Sequence, residues 1–176
     1  DRKTLEPQEI NSDNQALLKE AVWIDLISPS TADEDLVEAN LGLDIPTREE
    51  MLEIELSSRL YKEDGALFMT ATMLAQSDSL EPKYDAVTFV VTEKQLITIR
   101  YIEPQSFKFF ISQLKKINPE HYSPINLLIE LLDATVDRLA DILELIGHQL
   151  DDYSKTIFKP ETSETAGKLD YQQIMQ

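Results

Sequence analysis

The sequence predicts an α/β protein: a largely antiparallel central sheet, a helix covering it, and a long acidic helical arm. Three observations predict this. Segments with two-residue alternation follow one another through short connections between residues 60 and 101. Capping boxes and an amphipathic stripe mark helices before and after them. Beyond Pro124 the apolar residues fall alternately four and three apart in an acidic segment with no proline before Pro160.

The first strand is "VWIDLI", in which Val22, Ile24 and Leu26 alternate with Trp23, Asp25 and Ile27. After Pro29, Thr31-Ala-Asp-Glu34 reads as a capping box opening a helix through Leu36, Val37 and Leu41 that stops at Gly42. A second box, Thr47-Arg-Glu-Glu50, follows Pro46 and opens the helical segment "TREEMLEIE". "SRLYKEDGALFM" predicts a hairpin, because Asp64-Gly65 tolerates the positive φ of a tight turn. Its second arm alternates Leu67, Met69, Ala71 and Met73 with Phe68, Thr70, Thr72 and Leu74. "YDAVTFVV" places Val87, Phe89 and Val91 on one face, and "QLITIRY" places Ile97, Ile99 and Tyr101 on one, with Glu93-Lys94 between them. Pro104 ends the meander, to which "VWIDLI" adds a further strand. "SFKFFISQLKKIN" then aligns Phe107, Phe110, Ile111, Leu114 and Ile117, turning Lys108, Lys115 and Lys116 away, as a helix that covers a sheet face.

From Ser123-Pro124 a single helix of about 50 Å is predicted. Its seam is Ile125, Ile129, Leu132, Val136, Leu139, Leu143, Ile146, Leu150, Tyr153 and Ile157. Beside it runs an acidic stripe: Glu130, Asp133, Asp137, Asp141, Glu144, His148 and Asp151. After Pro160, "KLDYQQIMQ" predicts the start of a returning helix. The domain division expected is 1–120 for the α/β domain and 121–176 for the long helix and its return.

Charge and composition remove several function classes. A formal charge of −17 opposes the basic surface that non-specific nucleic-acid binding needs, and favours cations or basic partners. With no cysteine, disulfides, thiolate metal sites and cysteine nucleophiles are excluded, which suits a cytosolic face. The longest uncharged stretch, Gly65 to Ser77, is too short to span a bilayer. Only Gly42, Gly65, Gly147 and Gly167 are present, so neither a P-loop nor a GxGxxG fingerprint occurs. His121 and His148 fit no zinc-ligand spacing, and nothing singles out a pair of acids for hydrolysis. An enzyme is not expected. Both ends break off within polar sequence, and an excised portion of a longer protein is expected.

Glutamates 49, 50, 53 and 55 raise the question of a cation site. Glu50 can cap Thr47, and Glu49 sits in a first turn where the helix dipole favours negative charge. On a continuous helix Glu55 would reach Arg59, while Glu53 would share a face with Glu49 and Glu50 at a cost of about 0.2–0.5 kcal/mol per like-charge pair unless a cation arrives.

The order "WIDL", a short helix, "LGLDIPTREEMLEIELSSRLYKEDGALFM", "VTFVVTEKQLITIR" and a long acidic helix resembles the cytosolic N-terminal domain of CorA-type magnesium transporters, from Val22 nearly to the end of the chain. The resemblance implies an αβα sandwich within a pentameric cation channel at the cytoplasmic face of the inner membrane. It further implies membrane attachment through C-terminal helices not in this chain, whose pore motif Gly-Met-Asn is also absent. Mg2+, or another divalent cation, would bind weakly at acidic sites between subunits. The family's regulatory aspartate aligns with Met51, so Glu49, Glu50 and Glu53 are the nearest candidate ligands, and the stripe Asp133, Asp137, Asp141, Glu144 and Asp151 would concentrate cations. A zinc-exporting relative of the same fold and a soluble α/β adaptor dimerising through its long helix are the alternatives.

Overall fold

Apolar residues on both faces of the strands require a layer of helices on each side of the sheet. The computed structural model describes residues 8–158 except 12, 80 and 115–121. Its strands are β1 (Trp23–Ile27), β2 (Leu60–Glu63), β3 (Ala66–Ala75), β4 (Lys83–Val91) and β5 (Leu96–Arg100). They lie in the order β1-β5-β4-β3-β2. β2 to β5 form the antiparallel meander, and β1 adds to it in parallel with β5. The strand starts one residue later than "VWIDLI" suggests, although the Val22 carbonyl still accepts the Leu96 N–H at 2.9 Å.

The turn chemistry is as expected. Asp64 and Gly65 both have positive φ, 46° and 80°, so a two-residue turn whose twist matches the strands joins β2 to β3. In the β4–β5 turn the Thr92 hydroxyl accepts the N–H groups of Lys94 and Gln95. Gln95 is itself buried, and its side chain donates to the carbonyls of Leu18 and Ala21, tying a 3-10 segment (Gln15–Lys19) to the sheet.

The helices are α1 (Thr31–Leu41), α2 (Arg48–Met51), α3 (Leu56–Arg59), α4 (Gln105–Leu114) and α5 (Pro124–Ile157). α1 starts one residue early: Ser30 is its N-cap, and the box is Ser30 with Asp33, not Thr31 with Glu34. The Asp33 carboxylate accepts both the N–H and the hydroxyl of Ser30, which hold its pKa below the usual carboxylate range. Gly42 closes the helix at φ 68°, with its N–H on the Glu38 carbonyl.

On one sheet face Phe68, Val90, Ile97 and Ile99 bury against Val37 of α1, Leu18, Ile45 and Met51. On the other, Val87, Phe89 and Leu96 meet Phe107, Phe110 and Leu114 of α4 and Leu127, Leu128 and Leu131 of α5. The result is the αβα sandwich. Ile117, Lys115, Lys116, His121 and the returning helix lie outside the described residues. Two compact units are distinguished, one ending at Leu139 and the other starting at Ala140, so their boundary falls within α5.

β5 is buried along its whole length and carries two polar side chains into the second core. Arg100 Nε and Nη2 grip Asp25 of β1 at 3.0 and 2.8 Å, and Nη1 donates to the Ile102 carbonyl. The guanidinium also lies 4.7 Å from the Phe107 ring centre. Thr98 donates to Asp25 and accepts from Trp23 Nε1. Every polar group in this row is paired, as burial demands. Asp25→Ala would strand the Arg100 charge in the core and should lower stability by about 3–5 kcal/mol. Glu103→Ala, which removes only an exposed pair with Lys108, should be near neutral, and urea titration of the two variants measures the difference.

Candidate functional site

The 47–59 segment is not one helix. Thr47 caps α2 as expected, with Glu50 Oε2 accepting the Thr47 N–H at 2.8 Å and its hydroxyl at 2.9 Å. Met51 then turns into the core, 2 % exposed, and α2 ends after four residues. Anchoring this apolar side chain outweighs the helical propensity of the glutamates around it. Glu53 therefore lies beyond α2, and its backbone carbonyl accepts Arg59 Nε at 3.1 Å. Glu55 is the N-cap of α3 rather than a helical partner of Arg59. The carboxylates of Glu49 and Glu53 have no hydrogen-bonding or ionic partner among the described residues, while that of Glu50 is engaged. Among the described residues no three Asp, Glu or His side chains come together in a group able to hold a metal.

Beside this segment Arg48 bonds Asp85 of β4 at 2.9 Å and lies 4.1 Å over the Tyr101 ring. The Tyr101 hydroxyl donates to Glu34 of α1. Burial, then the neighbouring Glu34 charge, pushes the Tyr101 pKa up; burial likewise raises that of Glu34. This patch fastens α1 and α2 to the sheet end through one cation.

α5 has three faces. Leu127, Leu128, Leu131 and Ala134 pack on the sandwich. The predicted seam is mostly a different line of residues: Ile125, Ile129, Val136 and Leu139 are exposed in the first unit, and Leu143, Ile146, Leu150, Tyr153 and Ile157 in the second, whereas Leu132 of the seam is partly buried against the second core. Leu143 is 69 % exposed. The acidic stripe occupies the third face, with Glu130, Asp133, Asp137, Asp141, Glu144, His148 and Asp151 all exposed. His148 Nε2 stands 3.6 Å from Glu144, one helical turn away. The residues flanking the seam from Thr135 onward, Ala140, Ile142, Gly147, Gln149, Ser154 and Thr156, carry no charge. In a heptad these are the positions next to a partner helix.

One contact was invisible to spacing arguments. Arg138 of α5 donates to Ser77 at 2.7 Å and to Asp78, both in the β3–β4 loop, and Gln105 at the start of α4 donates to Asp78 Oδ2 at 2.7 Å. Only a basic residue set into an acidic helix hinted at it.

A family model described as CorA-like Mg2+ transporter protein matches residues 19–173. The chain belongs to that family. A magnesium transport protein CorA from Pasteurella multocida is 24% identical over 148 residues, covering 84% of this chain and 47% of that protein. The chain thus spans about half the length of the curated relative it matches. The soluble domain of CorA from Methanocaldococcus jannaschii superposes with a TM-score of 0.68 at 13% identity, covering 89% of this chain and 62% of that one. The ZntB cytoplasmic domain from Vibrio parahaemolyticus gives 0.58 at 14% identity, covering 74% and 54%. Among the described residues no helix is long and apolar enough to cross a membrane.

The Asp78 tie makes a pH prediction. The hydrogen bond from Gln105, then that from Arg138, holds the Asp78 carboxyl below the usual range. A depressed native pKa stabilises the fold above the unfolded value, about 3.9, and the contribution disappears as pH falls through the native value. Carboxyl-carbon NMR should give Asp78 a midpoint under 3.9, moving up in Gln105→Ala; an unmoved midpoint would remove Gln105 from the tie.

Proposed function

We propose that this chain is the cytosolic regulatory portion of a CorA-like divalent cation transporter, with magnesium as the cargo. The observation that carries it is the family match, which runs through both the sandwich and the long helix. Transport, rather than catalysis, is the activity this supports. The division of labour is the one expected from the sequence: residues 1–120 as the α/β domain and 121–176 as the helical connection toward membrane-spanning helices that lie outside this chain. The location is the cytoplasmic face of the inner membrane.

In this reading the full protein is a homo-oligomer, a pentamer, and its subunits sense Mg2+ through acidic sites between them. The exposed seam of α5 supports association, since a line of large apolar side chains in water is stabilised by a partner. The free carboxylates of Glu49 and Glu53, with Glu50 beside them, are the proposed ligands. Mg2+ keeps most of its water and needs only one or two carboxylates, so an incomplete site on one subunit completed by a neighbour suits weak, reversible binding. The stripe Asp133, Asp137, Asp141, Glu144 and Asp151 raises the local cation concentration. Cation bound between subunits favours the arrangement that binds it, and that arrangement in turn binds cation more tightly.

A zinc-transporting relative is the second reading, because the ZntB domain shares the fold and nothing among the described residues selects an ion. The test is sedimentation velocity of the chain in chelator, in millimolar Mg2+ and in Zn2+ at matched ionic strength. Mg2+ should shift the chain toward larger species, and Glu49→Ala with Glu53→Ala should weaken that response several-fold. An unchanged distribution in both ions would overturn the sensing role and favour an adaptor that dimerises through α5.

A further inference from the structure

Buried donors in folded proteins are paired almost without exception, so an unpaired one asks for an explanation. Among the described residues one buried side-chain donor has no hydrogen-bond partner, Arg138 Nε of α5. The rest of that guanidinium is engaged: Nη2 donates to the Ser77 hydroxyl at 2.7 Å and to Asp78 Oδ1. Asp78 Oδ2 accepts from Gln105 at 2.7 Å. Each carboxylate oxygen is therefore committed, and neither serves Nε. One carboxylate in the β3–β4 loop joins α4 to α5 while leaving a donor of the cation it holds unsatisfied.

The two halves of this contact respond differently to the solvent. Its favourable half is a charge pair at the surface, the Asp78 side chain being 60 % exposed, and such pairs are weak and screened by salt. Its unfavourable half is a desolvated, unpaired N–H, a cost that salt leaves in place and that hydration on opening removes. Packing adds little support. Past Ala134 no apolar residue of α5 in the first compact unit is buried, and Val136 and Leu139 are both exposed. The loop is also held at a cost, because Gln76 just before it sits at φ 55°, in the left-handed region. We propose that Arg138 is a releasable clasp, alternating in the native protein between a closed state on Ser77 and Asp78 and an open, hydrated state, with ionic strength setting the balance. Opening frees the turn of α5 around Arg138, while Leu127, Leu128 and Leu131 keep the start of the helix on the sandwich. The clasp makes the hold on that turn depend on the surrounding ions. It involves neither Glu49 nor Glu53, so it stands apart from the proposed sensing sites and holds equally for an adaptor.

The test is relaxation-dispersion NMR of the whole chain, following Arg138 Nε and the backbone amides of Ser77 and Asp78 from about 20 to about 500 mM NaCl at fixed pH. One shared exchange process should appear at all three, with the open population rising several-fold across the series. Arg100 Nε, paired with Asp25 at 3.0 Å, is the internal control and should stay in one state throughout. Asp78→Asn should leave Arg138 open at every salt concentration, its Nε–H exchanging rapidly with water. Asp78 lies outside both apolar cores, so this variant is expected to keep the wild-type signals of Phe89, Phe107 and Leu131. A single, slowly exchanging Arg138 Nε–H that ignores salt would overturn the proposal. So would exchange at Ser77 and residue 78 that persists unchanged in Asp78→Asn, because the motion would then belong to the loop alone.

Discussion

Burial of β5 on both faces and both edges is the constraint on which the rest of the structure depends. A strand in that position has no water for its polar side chains, yet Thr98 and Arg100 stand on it. Both are satisfied by Asp25, which sits opposite Thr98 in the parallel pairing of β1 with β5. A one-residue slip of β1 would turn Asp25 to the opposite face, among Ile97 and Ile99, and leave the guanidinium unpaired. Register, edge strand and the seating of Phe107 on the guanidinium are therefore one coupled choice. The apolar alternation alone would allow β1 to join the sheet; the charge pair says where.

That coupling also explains what was legible in the sequence. The strands, the Asp64-Gly65 turn, the Phe107, Phe110 and Leu114 face of α4 and the start of α5 at Pro124 all follow from local periodicity and turn chemistry. Each depends on neighbours a few residues away. The failures are of two kinds. The capping box of α1 was displaced by one residue because Ser30 and Thr31 offer similar hydroxyls, and only the extended backbone at Ser30, φ −85° and ψ 162°, decides between them. The run of glutamates after Thr47 has good helix-forming residues, but the core claims Met51 and breaks the helix, a tertiary effect that propensity does not contain. The ties of Arg100 to Asp25 and of Arg138 to Asp78 pair residues 75 and 60 positions apart, which no spacing rule reaches.

α5 shows how one helix can be read correctly yet incompletely. The heptad pattern is present, but the face that packs on the sandwich is mainly Leu127, Leu128, Leu131 and Ala134, joined from the seam by Leu132. Two apolar lines on the first turns of one helix leave the acids only the remaining third of its circumference. This is why the stripe is so regular: Glu130, Asp133 and Asp137 occupy the one face that neither the sandwich nor the seam uses. Their mutual repulsion follows from that confinement and implies nothing by itself about a ligand.

Whether such a surface acts as a switch depends on how its charge is neutralised. A cation held tightly by a complete site on one subunit would report nothing about the neighbouring one, since its affinity would not change on assembly. The carboxylates of Glu49 and Glu53 have the opposite character: they are exposed, unpartnered among the described residues, and too few to replace a magnesium ion's water. Their incompleteness is what makes coupling possible in the proposed function, because the free energy of the missing ligands is supplied only when subunits meet. The difference in cation affinity between assembled and separated states then equals the free energy by which the ion favours assembly. A stronger site in the isolated chain would leave less for the neighbour to add, so weak binding to a single subunit is a requirement of the mechanism.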